Sequence, residues 1–362
     1  MARGTILMVG TRKGLWVGRS DEAREEWSFS GPHFAMEEVY SCMVDTRGEQ
    51  VRLLAGSAST WLGAQVHRSA DLGETWDETP GGAIRFPDDV DASVERIWQL
   101  VPGVEPEVVW AGTEPGAVFR SRDGGQTFAL ERGLWDHPHR TEWGEGFGGQ
   151  AFHTVLPHPT DPASATVAIS TGGVYQTADD GASWEPRNTG IRADFLPEGQ
   201  QFPAFGQCVH KVTRHPARPE RLFLQNHGGV YRSDDHAATW TSIAEGLPSD
   251  FGFPVVVHPH DPDTVYVFPL GDGRFPPDGR ARVWRSRDAG GSWEELGKGL
   301  PDELWAAVVR DAMSADEHAE AGLYVGARNG TVWCSTDAGD TWRCAVTDLP
   351  DVMVVRAAAV DL

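Results

Sequence analysis

Ser69-Ala70-Asp71-Leu72-Gly73-Glu74-Thr75-Trp76 carries the pattern Ser/Thr-x-Asp-x-Gly-x-Ser/Thr-aromatic, and this pattern decides the fold. It returns at Ser121-Asp123-Gly125-Thr127-Phe128, Thr177-Asp179-Gly181-Ser183-Trp184, Ser286-Asp288-Gly290-Ser292-Trp293 and Ser335-Asp337-Gly339-Thr341-Trp342. Another copy, Ser233-Asp235-Ala237-Thr239-Trp240, has lost its glycine, and Ser20 to Trp27 reads as a degraded seventh. Starts lie 49 to 56 residues apart, a steady period that chance does not produce. The local physics is that of a tight turn. An Asp side chain bonds nearby backbone amides, and Gly supplies angles closed to other residues. The carboxylates invite a calcium reading, but a turn repeated around the molecule explains them better.

Working outward from one turn gives the blade. Phe152 to Leu156, Thr166 to Ser170, Gly173 to Gln176 and Trp184 to Arg187 are short alternating runs rich in β-branched and aromatic residues, so they read as strands. No segment shows sustained helical periodicity. Four strands per period of about 50 residues means propeller blades. The N-terminus opens with two strands, Thr5 to Val9 and Gly14 to Val17, and lacks an inner one, while Met353 to Val360 is left over at the C-terminus. The expected architecture is therefore one all-β domain, residues 1–362, a seven-bladed β-propeller with the last strand inserted as the inner strand of the first blade. That closure removes two open sheet edges.

Composition bounds the function. The chain has 362 residues, 31 Lys+Arg against 53 Asp+Glu, and a formal charge of -22. A balance this acidic argues against nucleic-acid phosphate or anionic membrane as a partner. No run approaches the roughly 18 apolar residues of a membrane span. The N-terminus lacks the ordered zones of a signal peptide. Cys42, Cys208, Cys334 and Cys344 are too scattered for a disulfide scaffold or a CxxC zinc site. A cytoplasmic protein with reduced thiols is the expectation.

With the repeats in hand, the chain resembles the bacterial Asp-box (BNR) repeat β-propellers, the group loosely named sialidase-like or WD40/YVTN/BNR-like repeat proteins. Gly10-Thr11-Arg12-Lys13-Gly14-Leu15, Arg192-Ala193-Asp194-Phe195-Leu196-Pro197, Gln207-Cys208-Val209-His210-Lys211, Gln225-Asn226-His227 and Pro248-Ser249-Asp250-Phe251-Gly252-Phe253-Pro254 are similar to that group as well. The resemblance implies the fold. It does not fix an activity, because such propellers include sialidases, xyloglucanases, sorting receptors and photosystem assembly factors. Sialidase chemistry itself is not expected. It needs a Tyr nucleophile, a carboxylate partner and an arginine triad. Tyr175, Tyr231, Tyr266 and Tyr324 all sit in repeat strands, which leaves Tyr40 alone near the channel mouth.

Ligand sites in propellers open opposite the repeated turns, at the channel mouth. Two long inter-blade loops, Leu134 to Ala151 and Ile191 to Cys208, are rich in polar side chains. Aligning inner strands on their His-Pro ends puts His153 and His210 at equivalent places, where other blades carry Tyr40, Ile97, Phe253 and Trp305. His227 follows the next strand. His153, His210 and His227 are therefore the candidate ligands of one divalent transition metal (zinc, iron, copper, nickel or manganese), with an open position for chemistry. Glu142, Glu114 and Asp194 are the candidate catalytic carboxylates. Tyr40, Trp61, Arg140, Trp143, Gln207, Lys211, Asn226 and Trp305 are the candidate substrate contacts. The leading expectation is a small-molecule or glycan site, with hydrolase or lyase chemistry assisted by the metal. Two alternatives stay open: a glycoside hydrolase using paired loop carboxylates, Glu142 or Glu145 with Asp194 or Glu198, and a non-catalytic scaffold for a protein partner.

Overall fold

A computed structural model describes residues 3–78, 82–146 and 149–362. Seven four-stranded antiparallel sheets stand around a central channel. Their inner strands are Val352–Asp361, Glu38–Asp45, Arg96–Pro102, Phe152–Pro157, Val209–Arg214, Gly252–His258 and Met313–Ala315. Among the described residues, helix is confined to one turn at Arg132–Trp135 and 3-10 turns at Pro138–Glu142 and Pro277–Gly279. The core is seven apolar clusters packed within and between blades, for example Ile6, Met8, Val17, Val39 and Leu53 across blades one and two.

The ring closes as the strand arithmetic requires. Val352–Asp361 pairs antiparallel with Arg3–Thr11, from Arg3 opposite Asp361 to Thr11 opposite Val352. Gly14–Asp21 and Ser28–His33 complete this first blade. The first and last strands of the chain thus lie paired in one hydrogen-bonded sheet, and the inner edge of Arg3–Thr11 is covered.

The repeated turn has one geometry in all six copies. In the first, Ser69 Oγ accepts the Gly73 amide at 2.8 Å and donates to Asp71 Oδ1 at 2.7 Å. The same carboxylate accepts the Thr75 amide at 2.9 Å and its hydroxyl at 2.6 Å. In two copies the turn's Trp also ties blades together by a hydrogen bond: Trp240 Nε1 donates to Arg187 O, and Trp293 Nε1 to Ile243 O, each in the preceding blade. In the degraded copy Arg24 stands at the glycine position with φ 55°. Its guanidinium reaches Asp316 of the last blade at 2.9 Å. Asp316 is fully buried and also accepts the Gly322 amide and the Tyr324 hydroxyl. The lost turn is thus exchanged for a buried ion pair across the ring seam.

Cys334 and Cys344 lie on paired strands but one residue out of register: Trp333 faces Cys344 and Cys334 faces Arg343. Neighbouring positions on a strand point to opposite faces, so the two thiols diverge and remain free.

Candidate functional site

The inner strands enter at the channel mouth, and six of them carry a β-bulge within their first residues. The extra residue is Met353, Tyr40, Trp98, His153 or His210 in five blades, and Phe253-Pro254 share the bulge in the sixth. A bulge lets one residue leave the pleat and re-aims its side chain. Here it turns a side chain of almost every blade toward the axis. A cavity of about 1050 Å³ opens there, and Met353, Tyr40, Trp98, His210 and Phe253 all line it. The sequence alignment placed Ile97 at this level. The bulge shifts the register by one, so Ile97 is buried in the core and Trp98 faces the cavity.

Two polar groupings stand out in the wall. In the first, Cys208, His210 and His227 each offer a ligand atom, and these atoms all lie within 4.8 Å of one another. His210 Nδ1 donates to Gly252 O at 2.6 Å, which leaves Nε2 facing Cys208 Sγ at 3.7 Å. The His227 amide donates to Cys208 O at 2.9 Å. Phe251 packs against both imidazoles, and Phe253 against His210 at 4.7 Å between ring centroids. Burial, then the Arg310 charge, holds His210 well below the usual histidine range. Burial pushes the Cys208 thiol up, with Arg310 opposing it.

The second grouping centres on Arg310. Its guanidinium lies 5.2 Å from the Phe253 ring centroid and 5.7 Å from that of Trp98, within cation–π range. It donates to Ser170 Oγ at 3.2 Å. Ser170 Oγ lies 3.2 Å from His153 Nε2, and since Arg310 can only donate, the hydroxyl proton is free to go to the neutral histidine. Burial, with Arg310 and Lys211 alongside, holds His153 well below its usual range and keeps that acceptor lone pair available. Among the described residues, Arg310 has no carboxylate within ion-pair distance, and its Nε is buried without a partner.

The cavity carboxylates are mostly committed. Glu114 is held by Arg96 at 3.0 Å and by Trp98 Nε1 at 2.9 Å. Asp351 pairs with Arg328 at 2.6 Å. Asp311 is bonded by Lys211 at 2.8 Å and by Arg356. Burial opposes its ionisation, but the two cations outweigh burial and hold its carboxyl below the usual range. Glu145 also lines the cavity and, among the described residues, has no ion-pair partner.

The structure brings some of the expected site residues together and not others. His210, His227, Glu114, Tyr40 and Trp305 line the cavity. His153 sits behind the wall, bonded to Ser170, and Cys208 stands beside the other two histidines instead. Glu142 ends an exposed 3-10 turn away from the cavity. Asp194 is exposed and paired with Arg192 at 2.9 Å, although its charge still reaches His227. Trp61 is 93% exposed on a hairpin tip. Arg140 stacks on Trp135 at 3.4 Å. Trp143 is buried and donates to the Tyr175 hydroxyl. Gln207 and Asn226 spend their amides on the loop's own carbonyls, Pro203 O and Arg192 O. Lys211 is buried against Asp311. The Gln207 and Asn226 amide nitrogens are thus spent on loop carbonyls, while Gln207 Oε1 and Asn226 Oδ1 are buried without a hydrogen-bond partner among the described residues. Two residues that matter were missed. Cys208, two before His210, was visible in the sequence. Arg310 was not, because it precedes the short inner strand of the last blade and no alternation marks it.

Against known proteins, no family model matches the chain. A Neosartorya fischeri protein described as a probable oligoxyloglucan-reducing end-specific xyloglucanase is 25% identical over 183 residues, 49% of this chain and 19% of its own length. The match thus spans about a fifth of that relative. Among solved structures, YCF48 bound to a D1 peptide superposes with TM-score 0.53 at 15% identity, covering 85% of this chain and 82% of its own. A Bacteroides uniformis structure described as a candidate 6-phosphogluconolactonase gives 0.60 at 12% identity, covering 99% and 100%. At these identities the likeness is one of fold, and the fold is a seven-bladed β-propeller.

Proposed function

We propose that this propeller binds a small molecule or glycan fragment at the channel mouth, and that the ligand carries a carboxylate or phosphate. The observation that carries the reading is Arg310. A guanidinium within cation–π range of two aromatic rings, with no carboxylate at ion-pair distance among the described residues, sits in a chain whose net charge is -22. Leaving a charge partly buried and uncompensated is costly, and an anionic ligand would offset that cost with bidentate hydrogen bonds. Tyr40, Trp98 and Trp305 supply faces for a sugar ring or another organic body. The half-chain match to a xyloglucanase supports a glycan. The six repeated turns support reading the chain as an Asp-box propeller. Hydrolase or lyase chemistry here would draw on Glu145, a cavity carboxylate with no ion-pair partner among the described residues. A glycosidase needs two available carboxylates, and the neutralised Glu114, Asp311 and Asp351 make that alternative the weaker one. A peptide- or protein-binding role is the second reading. Trp61 and Leu62, 93% and 65% exposed on the cavity face, favour it, as does the peptide bound to YCF48.

Thermal unfolding with glucuronate and glucose 6-phosphate, against glucose and a neutral xyloglucan oligosaccharide, tests the reading. The anionic sugars are expected to stabilise the protein, by about 2.7 kcal/mol at a hundred times Kd, and the neutral ones are not. Arg310→Met keeps the length and the ring contacts, and should abolish the effect. Equal binding of neutral sugars, or a shift that survives Arg310→Met, would overturn it.

A further inference from the structure

We infer that Cys208, His210 and His227 form a site for a single thiophilic divalent metal, zinc by preference, with its fourth position open to the cavity. The inference stands apart from the anion reading, since it concerns metal uptake by the protein alone. Three ligand atoms already lie within 4.8 Å of one another. Metal–nitrogen and metal–sulfur bonds of about 2.0 and 2.3 Å set a tetrahedral N–S edge of about 3.5 Å. The 3.7 Å between His210 Nε2 and Cys208 Sγ is close to that edge. His227 is exposed on the turn that follows the neighbouring strand, and its ring already lies beside that of His210, 5.5 Å between centroids.

The surroundings are those of a ligand set. A metal-bound histidine donates its other ring nitrogen to a carbonyl or carboxylate, which fixes the tautomer. His210 Nδ1 does this to Gly252 O at 2.6 Å. The His227 amide bonds Cys208 O, so the third ligand is tied to the first through the backbone. Phe251 and Phe253 pack against the imidazoles and form the apolar side of the site.

The donor types choose the metal. One thiolate and two imidazoles suit zinc, and suit magnesium, calcium or manganese badly, because those cations prefer oxygen. Three protein ligands with a vacant fourth position match a catalytic rather than a closed structural zinc site. Arg310 lies close enough for its charge to act on both Cys208 and His210. A divalent ion with one thiolate leaves net positive charge beside that guanidinium, so the fourth ligand is expected to be an anion. His153, assigned to the metal by strand alignment, instead positions Ser170 and through it Arg310.

The test uses the full chain, tag-free and stripped by chelator, titrated with cobalt(II) and then zinc. One equivalent of cobalt should bind with a thiolate-to-metal charge-transfer band in the near ultraviolet, and zinc should displace it. Cys208→Ser should remove the band. His227→Ala changes an exposed side chain and should leave circular dichroism unchanged while weakening affinity by more than about tenfold. If folded wild type takes up neither ion, if the band is absent or survives Cys208→Ser, or if His227→Ala leaves affinity unmoved, the site is overturned.

Discussion

His67 shows how one side chain couples the fold to pH. It stands where the other blades carry Phe119, Tyr175, Tyr231, Trp284 and Trp333, and it behaves as an aromatic plug. Its ring stacks on Phe34 at 3.6 Å between centroids and is 1% exposed, with Nε2 2.8 Å from Ser57 Oγ. Glu37 lies 3.8 Å from the same nitrogen and would welcome a proton, but Ser57 also bonds that carboxylate, and burial sets the direction. The result is a pKa lowered from 6.5 to about 4. A group whose folded pKa is depressed contributes stability that is complete above its unfolded pKa and is lost as pH falls through the folded one. For His67 that window runs from about 6.5 down to about 4, and the loss is on the order of 3 kcal/mol. His153 and His210 are depressed in the same sense and steepen the same limb. Urea midpoints measured from pH 7 to 4 should fall in the wild type and fall less in His67→Phe. Parallel profiles would show that His67 is charged in the folded state.

At the scale of the element, the repeated turn explains why one copy tolerates alanine and another should not. Gly290 has φ +92°, and a Cβ there would lie 2.5 Å from Ile243 Cδ1. Ala237 occupies the equivalent place with φ 67°. Its amide still donates to Ser233 Oγ at 2.9 Å, and its methyl is packed in the core. Gly290→Ala combines a left-handed penalty of about 1–2 kcal/mol with overpacking of about 1–3 kcal/mol, so it should cost more than about 2 kcal/mol in urea unfolding. Ala237→Gly relieves the backbone but removes a buried methyl worth about 0.8 kcal/mol and should stay within about 1 kcal/mol of wild type. A neutral Gly290→Ala would mean that Ile243 yields freely. The same locality explains what the sequence disclosed. Each turn is decided by eight contiguous residues, so the blades and their count were legible. Strand ends were legible to within a residue in the fourth blade and the last strand, but Thr5 to Val9 extends to Arg3–Thr11 and Gly14 to Val17 to Gly14–Asp21. A single residue matters at the cavity, where the bulge exchanges Ile97 for Trp98. Gln207 and Asn226 looked like site residues because polar loop content does not reveal which amides the loop will use on itself. Arg310 became visible only when the ring set the last blade beside Trp98 and Phe253.

At the scale of the whole molecule, the ring either closes or leaves two sheets with an open side. Val352–Asp361 is the inner strand of the first blade, and it buries Val352, Val354, Val355 and Val360. It also carries the channel-side Met353 and the Arg356 that bonds Asp311. Burying each valine is worth about 1.5–3 kcal/mol, so these four alone contribute at least about 6 kcal/mol. A domain has about 5–15 kcal/mol in total. Removing the strand also frees the hydrogen-bonding edge of Arg3–Thr11, an invitation to aggregate, and takes from buried Asp311 the Arg356 half of its two ion pairs. Deleting residues 352–362 should therefore leave the chain largely unfolded or aggregated at 37 °C, as read by circular dichroism and size-exclusion chromatography. Trimming Leu362 alone should change little. Supplying residues 352–362 as a separate peptide should restore part of the lost structure, because the strand's contacts are with a preformed edge rather than with its own loop. A truncated chain that melts at the wild-type temperature would mean that the first blade stands without its inner strand, and that the ring is held by the seam pair Arg24–Asp316 and the blade-to-blade tryptophans instead.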